Sequence, residues 1–375
     1  MLYYVIGREG KRNTRYEDTD IEHNPNRNDK TGAIMKRKQP AFLVFLAILL
    51  GVALLSGCTH RPLSLWNESA PAKTALVDYV RTVTKASSPD YIPPKERVAV
   101  FDLDGTLFLE TAPTYFDWLL FEHRVLEDPS FKATDEQLAA ARESRNGKFP
   151  KLDKNRERMV SEAYKGMTVA DFDAFVRRFM QEPQPGFKGL RRGDAFYRPM
   201  VEVVEFLARN GFTVYVISGT DRLTVRPLAD ALNLPPCQVI GSDSTIVASG
   251  QGETDGLDYT YQKGDTLILG GRNLVKNLQM NKVSAIAQEI GVQPVLAFGN
   301  SMTDASMVNY AILDNPHKAL GFMLLCDDTE REYGNAAKAD KMREACSRYG
   351  WIPISMRDDW KTIYGNDIIK LELQK

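Results

Sequence analysis

The stretch VAVFDLDGTL, Val98 to Leu107, decides how the rest of the chain is read. Four apolar residues, Val98 to Phe101, lead straight into Asp102, and a second carboxylate, Asp104, follows two positions later. A short, unbroken apolar run is the pattern of a strand buried on both faces. Burying one carboxylate is costly, and burying two close together costs more because each disfavours the other's charge. Paired acids at the end of such a strand therefore call for a cation. A spacing of two turns both side chains toward one crevice.

Moving outward, the flanking segments alternate in period. MVEVVEFLARNG, from Met200, reads as an amphipathic helix closed by Gly211, and FTVYVISG as an apolar strand. KVSAIAQEIG reads as a helix stopped by Gly291, followed by the strand PVLAFGN, the helix ASMVNYAIL, the apolar run GFMLLC and a polar helix around 329–347. AKTALVDYVRTVTK, residues 72–85, reads as one more helix ahead of the first strand. Apolar strands alternating with helices predict an α/β fold, a parallel sheet covered on both faces in three layers. Residues 112–197 differ: TYFDWLLFEHRVLE, DEQLAAARES, NRERMVSEAYKG and VADFDAFVRRFMQE all have helical spacing, with Thr168 placed as an N-cap. The expected organisation is a catalytic core of 95–111 and 198–375 with a helical cap, 112–197, inserted after the first strand. Residues 58–94 read as a tether and leading helix.

Composition narrows the function classes. The 375 residues are 43% hydrophobic and 26% charged, with a formal net charge of -1. That balance carries no electrostatic footprint for nucleic acid. Four cysteines are too few for a disulfide-dependent scaffold. Cys326 and Cys346 are candidates to pair in an oxidising compartment, leaving Cys237 over, though all three read as structural rather than catalytic.

Residues 1–34 are polar and aperiodic, and are read as disordered or upstream of the true start. From Met35 the pattern is that of a signal peptide, 35–57: Lys36, Arg37 and Lys38, an apolar run from Ala41 to Leu55, then Leu55-Ser56-Gly57-Cys58. That ending resembles the lipobox of bacterial lipoproteins. The resemblance implies cleavage before Cys58, a diacylglyceryl group on its thiol, and an outward-facing, membrane-anchored domain in the cell envelope.

Ligands of open α/β sheets bind at the carboxyl ends of the strands. Three such ends carry polar residues here: Asp102 and Asp104; Ser218, Gly219 and Thr220; and Asn300, Ser301 and Asp304. Lys282, leading the helix before the third, supplies positive charge, and Lys276 competes with it for that role. Oxygen ligands of this kind suit Mg²⁺ together with a substrate phosphate.

FDLDGTL, VISGT, Lys282 and FGNSMTD, in that order, resemble the haloacid dehalogenase-like hydrolases, closest to their phosphoserine-phosphatase-like branch. The resemblance covers essentially residues 95–310. It implies a phosphoric monoester hydrolase in which Asp102 is the nucleophile and Asp104 the acid and base. Ser218 and Gly219 bind the phosphoryl group, and Lys282 balances its charge. Mg²⁺ is held by Asp102, the Asp104 carbonyl, Asn300 and Asp304.

Two departures stand out. Many members have an acid where this chain has Asn300, which lowers the charge available to the metal. Phosphoserine phosphatases place a substrate-reading Glu nine residues after the nucleophile, where this chain has Thr111 with Glu110 beside it. The expected partner is a small phosphorylated metabolite. Two other readings stay open: a non-catalytic, surface-anchored binding protein, and phosphoryl transfer to an acceptor other than water. The stripe Tyr115, Phe116, Trp118, Leu119 and Phe121 reads as cap core, with an aromatic wall for a choline-like headgroup as the alternative. Asp327 and Asp328 read as approaching the crevice or capping the 329–347 helix. The histidines show no ligand spacing, and the oligomeric state is not encoded in any motif.

Overall fold

The computed structural model describes residues 62–372; the signal pattern, Cys58 and His60 lie outside them. In chain order the first elements are α1 (Pro71–Thr84), β1 (Val98–Phe101), α2 (Phe116–Leu126), α3 (Asp135–Arg145), α4 (Lys154–Ala163), α5 (Val169–Met180) and β2 (Phe187–Lys188). Next come α6 (Arg198–Arg209), β3 (Thr213–Asp221), α7 (Arg222–Ala229), β4 (Val239–Ala248), β5 (Leu267–Val275), α8 (Met280–Ala285) and β6 (Leu296–Gly299). The chain continues through α9 (Ala305–Ile312), β7 (Leu320–Leu325), α10 (Ala336–Tyr349), β8 (Ile352–Ser355), α11 (Met356–Asp359) and β9 (Ile369–Lys370).

Seven strands form one sheet in the order β5-β4-β3-β1-β6-β7-β8, with β1 at its centre. Every neighbouring pair is parallel except β4 with β5. The pleat sends alternate side chains into two separate cores. Ala99 and Phe101 join the core that also holds residues of α1, α6 and the inserted helices. Val98 and Val100 join the other, with Met307 and Val308 of α9 and Ala339 and Met342 of α10. Helices thus cover both faces, which is why β1 reads as an unbroken apolar run.

Register across the central strands is reinforced by aromatic rings. Phe101 pairs with Phe298, and Phe298 with Phe322. The rings stack at 4.2 and 4.8 Å between centroids. Each of the two pairs adds roughly 0.5–1.5 kcal/mol beyond its area burial. The ladder stiffens β1 and β6 just below the ends that carry Asp102 and Asn300.

The inserted segment folds as four helices, α2 to α5, close to the expected spans. Local capping explains their starts: Thr134, Asp153 and Thr168 each accept hydrogen bonds from backbone N–H groups of the first turn. Their apolar faces bury Trp118, Phe121, Phe175 and Phe179.

Other expectations need correction. The end of the supposed tether is packed: Leu63 and Trp66 are buried, and Trp66 sits edge-on to Trp360, its indole donating to the Pro199 carbonyl. The polar helix starts at Ala336, not near 329. Asp328 draws the N–H groups of Glu330 and Arg331 into a turn, and Asn335 is the N-cap. Asp327 and Asp328 neither cap that helix nor line the crevice; Asp327 bonds Ser355 and Arg357, and Asp328 pairs with Arg331. Cys237, Cys326 and Cys346 are free thiols, so the suggested pairing does not form.

Candidate active site

β1, β3 and β6 lie side by side and all end on the same edge of the sheet, so the three polar strand ends meet. Lys282, wholly buried, places Nζ 2.5 Å from Asp102 Oδ1 and 2.7 Å from Asp304 Oδ1. Burial works against its charge, but the two carboxylates outweigh that and raise its pKa. Lys276 does not reach this cluster. It pairs with Glu157 at 3.1 Å on the wall of the adjoining cavity.

Asp102 is buried, and burial together with the Asp304 charge pushes its carboxyl up to about 7 against the pull of Lys282. Asp104 accepts a 2.8 Å hydrogen bond from the Thr220 hydroxyl on Oδ2, while its buried Oδ1 has no partner. Burial, then the charges of Asp102 and Asp117, hold Asp104 well above the usual carboxylate range. A carboxyl in that state can donate a proton near neutral pH.

Ser218 is fully buried, and its hydroxyl accepts the backbone N–H of Thr220 at 3.0 Å. Gly219 and Thr220, next to it, line the cavity. Asp304 has both oxygens engaged: Oδ1 by Lys282, and Oδ2 by the N–H groups of Asn300 and Ser301, each at 3.1 Å. Its carboxylate therefore anchors Lys282 and the turn after β6, in place of the direct Mg²⁺ ligation that the resemblance implied for it.

These strand ends open on a cavity of about 200 Å³, walled on its far side by Tyr115, Arg156 and Lys276. The aromatic stripe does not make a cage there. Phe116, Trp118 and Phe121 are buried, and the Arg156 guanidinium already covers the Trp118 ring, 4.7 Å from its centroid.

Among the described residues no cluster of three or more Asp, Glu, His or Cys side chains is arranged to hold a metal. Asp102, Asp104 and Asn300 all line the cavity, so the donors they offer there, Asn300 Oδ1 among them, are oxygens. Asn300 uses only its N–H groups in hydrogen bonds, which leaves that oxygen available. This hard-oxygen set fits Mg²⁺, which binds through one or two carboxylates plus water and phosphate.

A family model described as haloacid dehalogenase-like hydrolase matches residues 99–309. The chain belongs to that family. Members of this superfamily typically use Mg²⁺. Solved structures similar to this hydrolase include a protein of unknown function from Bordetella pertussis Tohama I. It is 16% identical, aligned over 69% of this chain and 98% of that one, with a TM-score of 0.44. Cytosolic 5'-nucleotidase IIIB bound to cytidine is 15% identical over 82% and 91%, with a TM-score of 0.44. A substrate-bound phosphoserine phosphatase is 18% identical over 61% and 86%, with a TM-score of 0.34. Comparison with curated proteins gave no match.

Three groups at the site were given no role from the sequence, where Thr220 was named only at its strand end and Glu110 only beside Thr111. The Thr220 hydroxyl on Asp104 follows from VISGT once the strand is placed. Glu110 and Lys338, 228 residues apart, bond at 2.9 Å on the cavity wall. Lys338 belongs to no motif, and only tertiary structure reveals it.

Proposed function

We propose that this hydrolase is an Mg²⁺-dependent phosphatase acting on a small phosphomonoester through an aspartyl-phosphate. The observation that carries the reading is the convergence of Asp102, Asp104, Lys282 and Asp304 at one rim of the sheet, where Lys282 bonds Asp102 and Asp304 and Asp104 lines the cavity. A carboxylate oxygen of Asp102 attacks phosphorus and forms the acyl-phosphate bond as the ester P–O bond breaks. Asp104, which lines the cavity and keeps Oδ1 unpartnered, gives its proton to the departing alkoxide. It then takes a proton from water, whose oxygen attacks phosphorus, breaks the bond to Asp102 and releases inorganic phosphate. Ser218 and Gly219 bind the phosphoryl oxygens. Lys282, fixed by Asp304, offsets charge on Asp102 and the phosphoryl group. Asp102, the Asp104 carbonyl and Asn300 would hold Mg²⁺, which when bound neutralises phosphoryl charge.

The cavity, about 200 Å³, is smaller than the roughly 300–1,000 Å³ of most ligand pockets, which favours a small phosphomonoester. Turnover of a panel of phosphomonoesters, with Mg²⁺ and with chelator, tests the reading. Asp102→Asn is expected to lose activity by several orders of magnitude, as removal of covalent machinery does. Wild-type silence across the panel would overturn it.

The reading includes export and lipid anchoring through Cys58, supported by the signal pattern from Met35 to Cys58. Cys58→Ser is expected to leave the membrane fraction; a variant still membrane-bound would contradict the anchor.

A further inference from the structure

Asn300 stands where many family members carry an acid, so that position offers the cation site an oxygen but no charge. The structure shows a carboxylate beside it that comes from elsewhere in the chain. Glu110 Oε2 accepts from Asn300 Nδ2 at 3.3 Å and from Lys338 Nζ at 2.9 Å, while Oε1 accepts from the Tyr115 hydroxyl at 3.1 Å. Glu110 is 7% exposed, so these bonds hold it in a largely desolvated place. We propose that Glu110 supplies the negative charge of the divalent-cation site that Asn300 lacks, and fixes the Asn300 amide with its oxygen turned to the cation.

The amide orientation follows from chemistry. An ionised carboxylate only accepts hydrogen bonds, so only the NH₂ end of Asn300 can face Glu110. The oxygen is thereby left as the free end. Gly105 makes the arrangement sterically possible: its φ is +81°, and a Cβ there would lie 1.9 Å from Asn300 Nδ2. A carboxylate bonded to an amide ligand of the cation favours cation binding through its charge and stiffens the ligand, as hydrogen-bonded outer partners do at metal sites. The Lys338 ammonium, on the flank of α10 and 40% exposed, balances Glu110 when no divalent cation shares its charge. It therefore competes electrostatically with the cation.

The inference rests on the proposed Mg²⁺ dependence, and calorimetric titration of Mg²⁺ into the full-length chain in detergent separates the two. Wild type is expected to bind. Glu110→Gln, which keeps an acceptor but no charge, is expected to bind at least about tenfold more weakly, equal to about 1.4 kcal/mol. Asn300→Asp added to Glu110→Gln is expected to restore affinity, because it returns the charge to the turn itself. Lys338→Met is expected to tighten binding about threefold or more.

Unchanged affinity in Glu110→Gln overturns the role of Glu110, and so does failure of Asn300→Asp to rescue it. If Glu110→Gln does not fold, Lys338→Met decides, and unchanged affinity there overturns the proposal. A wild type that takes up no Mg²⁺ overturns the metal-dependent reading itself.

Discussion

Asp104 is where burial and catalysis are most tightly joined. Its Oδ2 is fixed by Thr220 and its Oδ1 is unpartnered, and burial with nearby carboxylates raises its pKa well above the usual carboxylate range. Asp104→Asn keeps the shape and the Thr220 contact but removes the transferable proton. With an aryl phosphate, whose leaving group departs unaided, the variant should still release one equivalent of phenol and then stall. With an alkyl phosphate the first step itself should slow by about 10²–10⁴. Rapid-quench kinetics on the two esters reads the difference, and equal slowing of the first step for both would count against Asp104 as the acid. Most of this site was legible one residue at a time. Asp102, Asp104, Ser218, Lys282 and Asp304 stand at strand ends or beside them, where a buried charge has few explanations. Glu110 was noticed only as a neighbour of Thr111, since its partners Asn300 and Lys338 come from distant parts of the chain.

At the scale of elements, most helices were legible, though α7 and α11 were not read and α10 was started too early, and the sheet edge was not. α2 to α5 announce themselves by spacing, and α5 also by Thr168 at its N-cap. β4 and β5 do not: much of β5 is exposed, and Gly270 and Gly271 interrupt its apolar pattern. The C-terminal segment was also missed, because β9 is two residues long and pairs with the equally short β2. Beside that pair Glu332 is buried, with one oxygen on the Tyr364 hydroxyl and the other on the Tyr333 N–H. Burial raises its pKa from 4.5 to about 7, against those bonds and the Lys370 charge. The folded chain therefore holds a proton there that the unfolded chain releases earlier. Stability from this group is full below the unfolded value and is lost as pH rises toward and through about 7. Urea unfolding at about pH 5 and about pH 8 should show wild type losing stability across the interval, with a shallower loss in Glu332→Gln. Equal slopes would remove Glu332 as the cause.

For the whole molecule, the order of four short motifs predicted the architecture because each marks the end or approach of a sheet strand. The sheet brings residues as distant as Asp102 and Lys282 within 2.5 Å. Sequence left the N-terminal boundary misplaced, since Trp66 closes onto Trp360, a contact across most of the chain. In the proposed reaction this assembled rim carries a phosphoryl group on Asp102. The direct measurement is to mix the protein and Mg²⁺ with a turned-over phosphomonoester labelled in its phosphoryl group, quench in acid and map the label. The account predicts label on the peptide holding Asp102, released by hydroxylamine and lost in Asp102→Asn. Turnover with no label on the protein under rapid quench, or label that persists in Asp102→Asn, would contradict it.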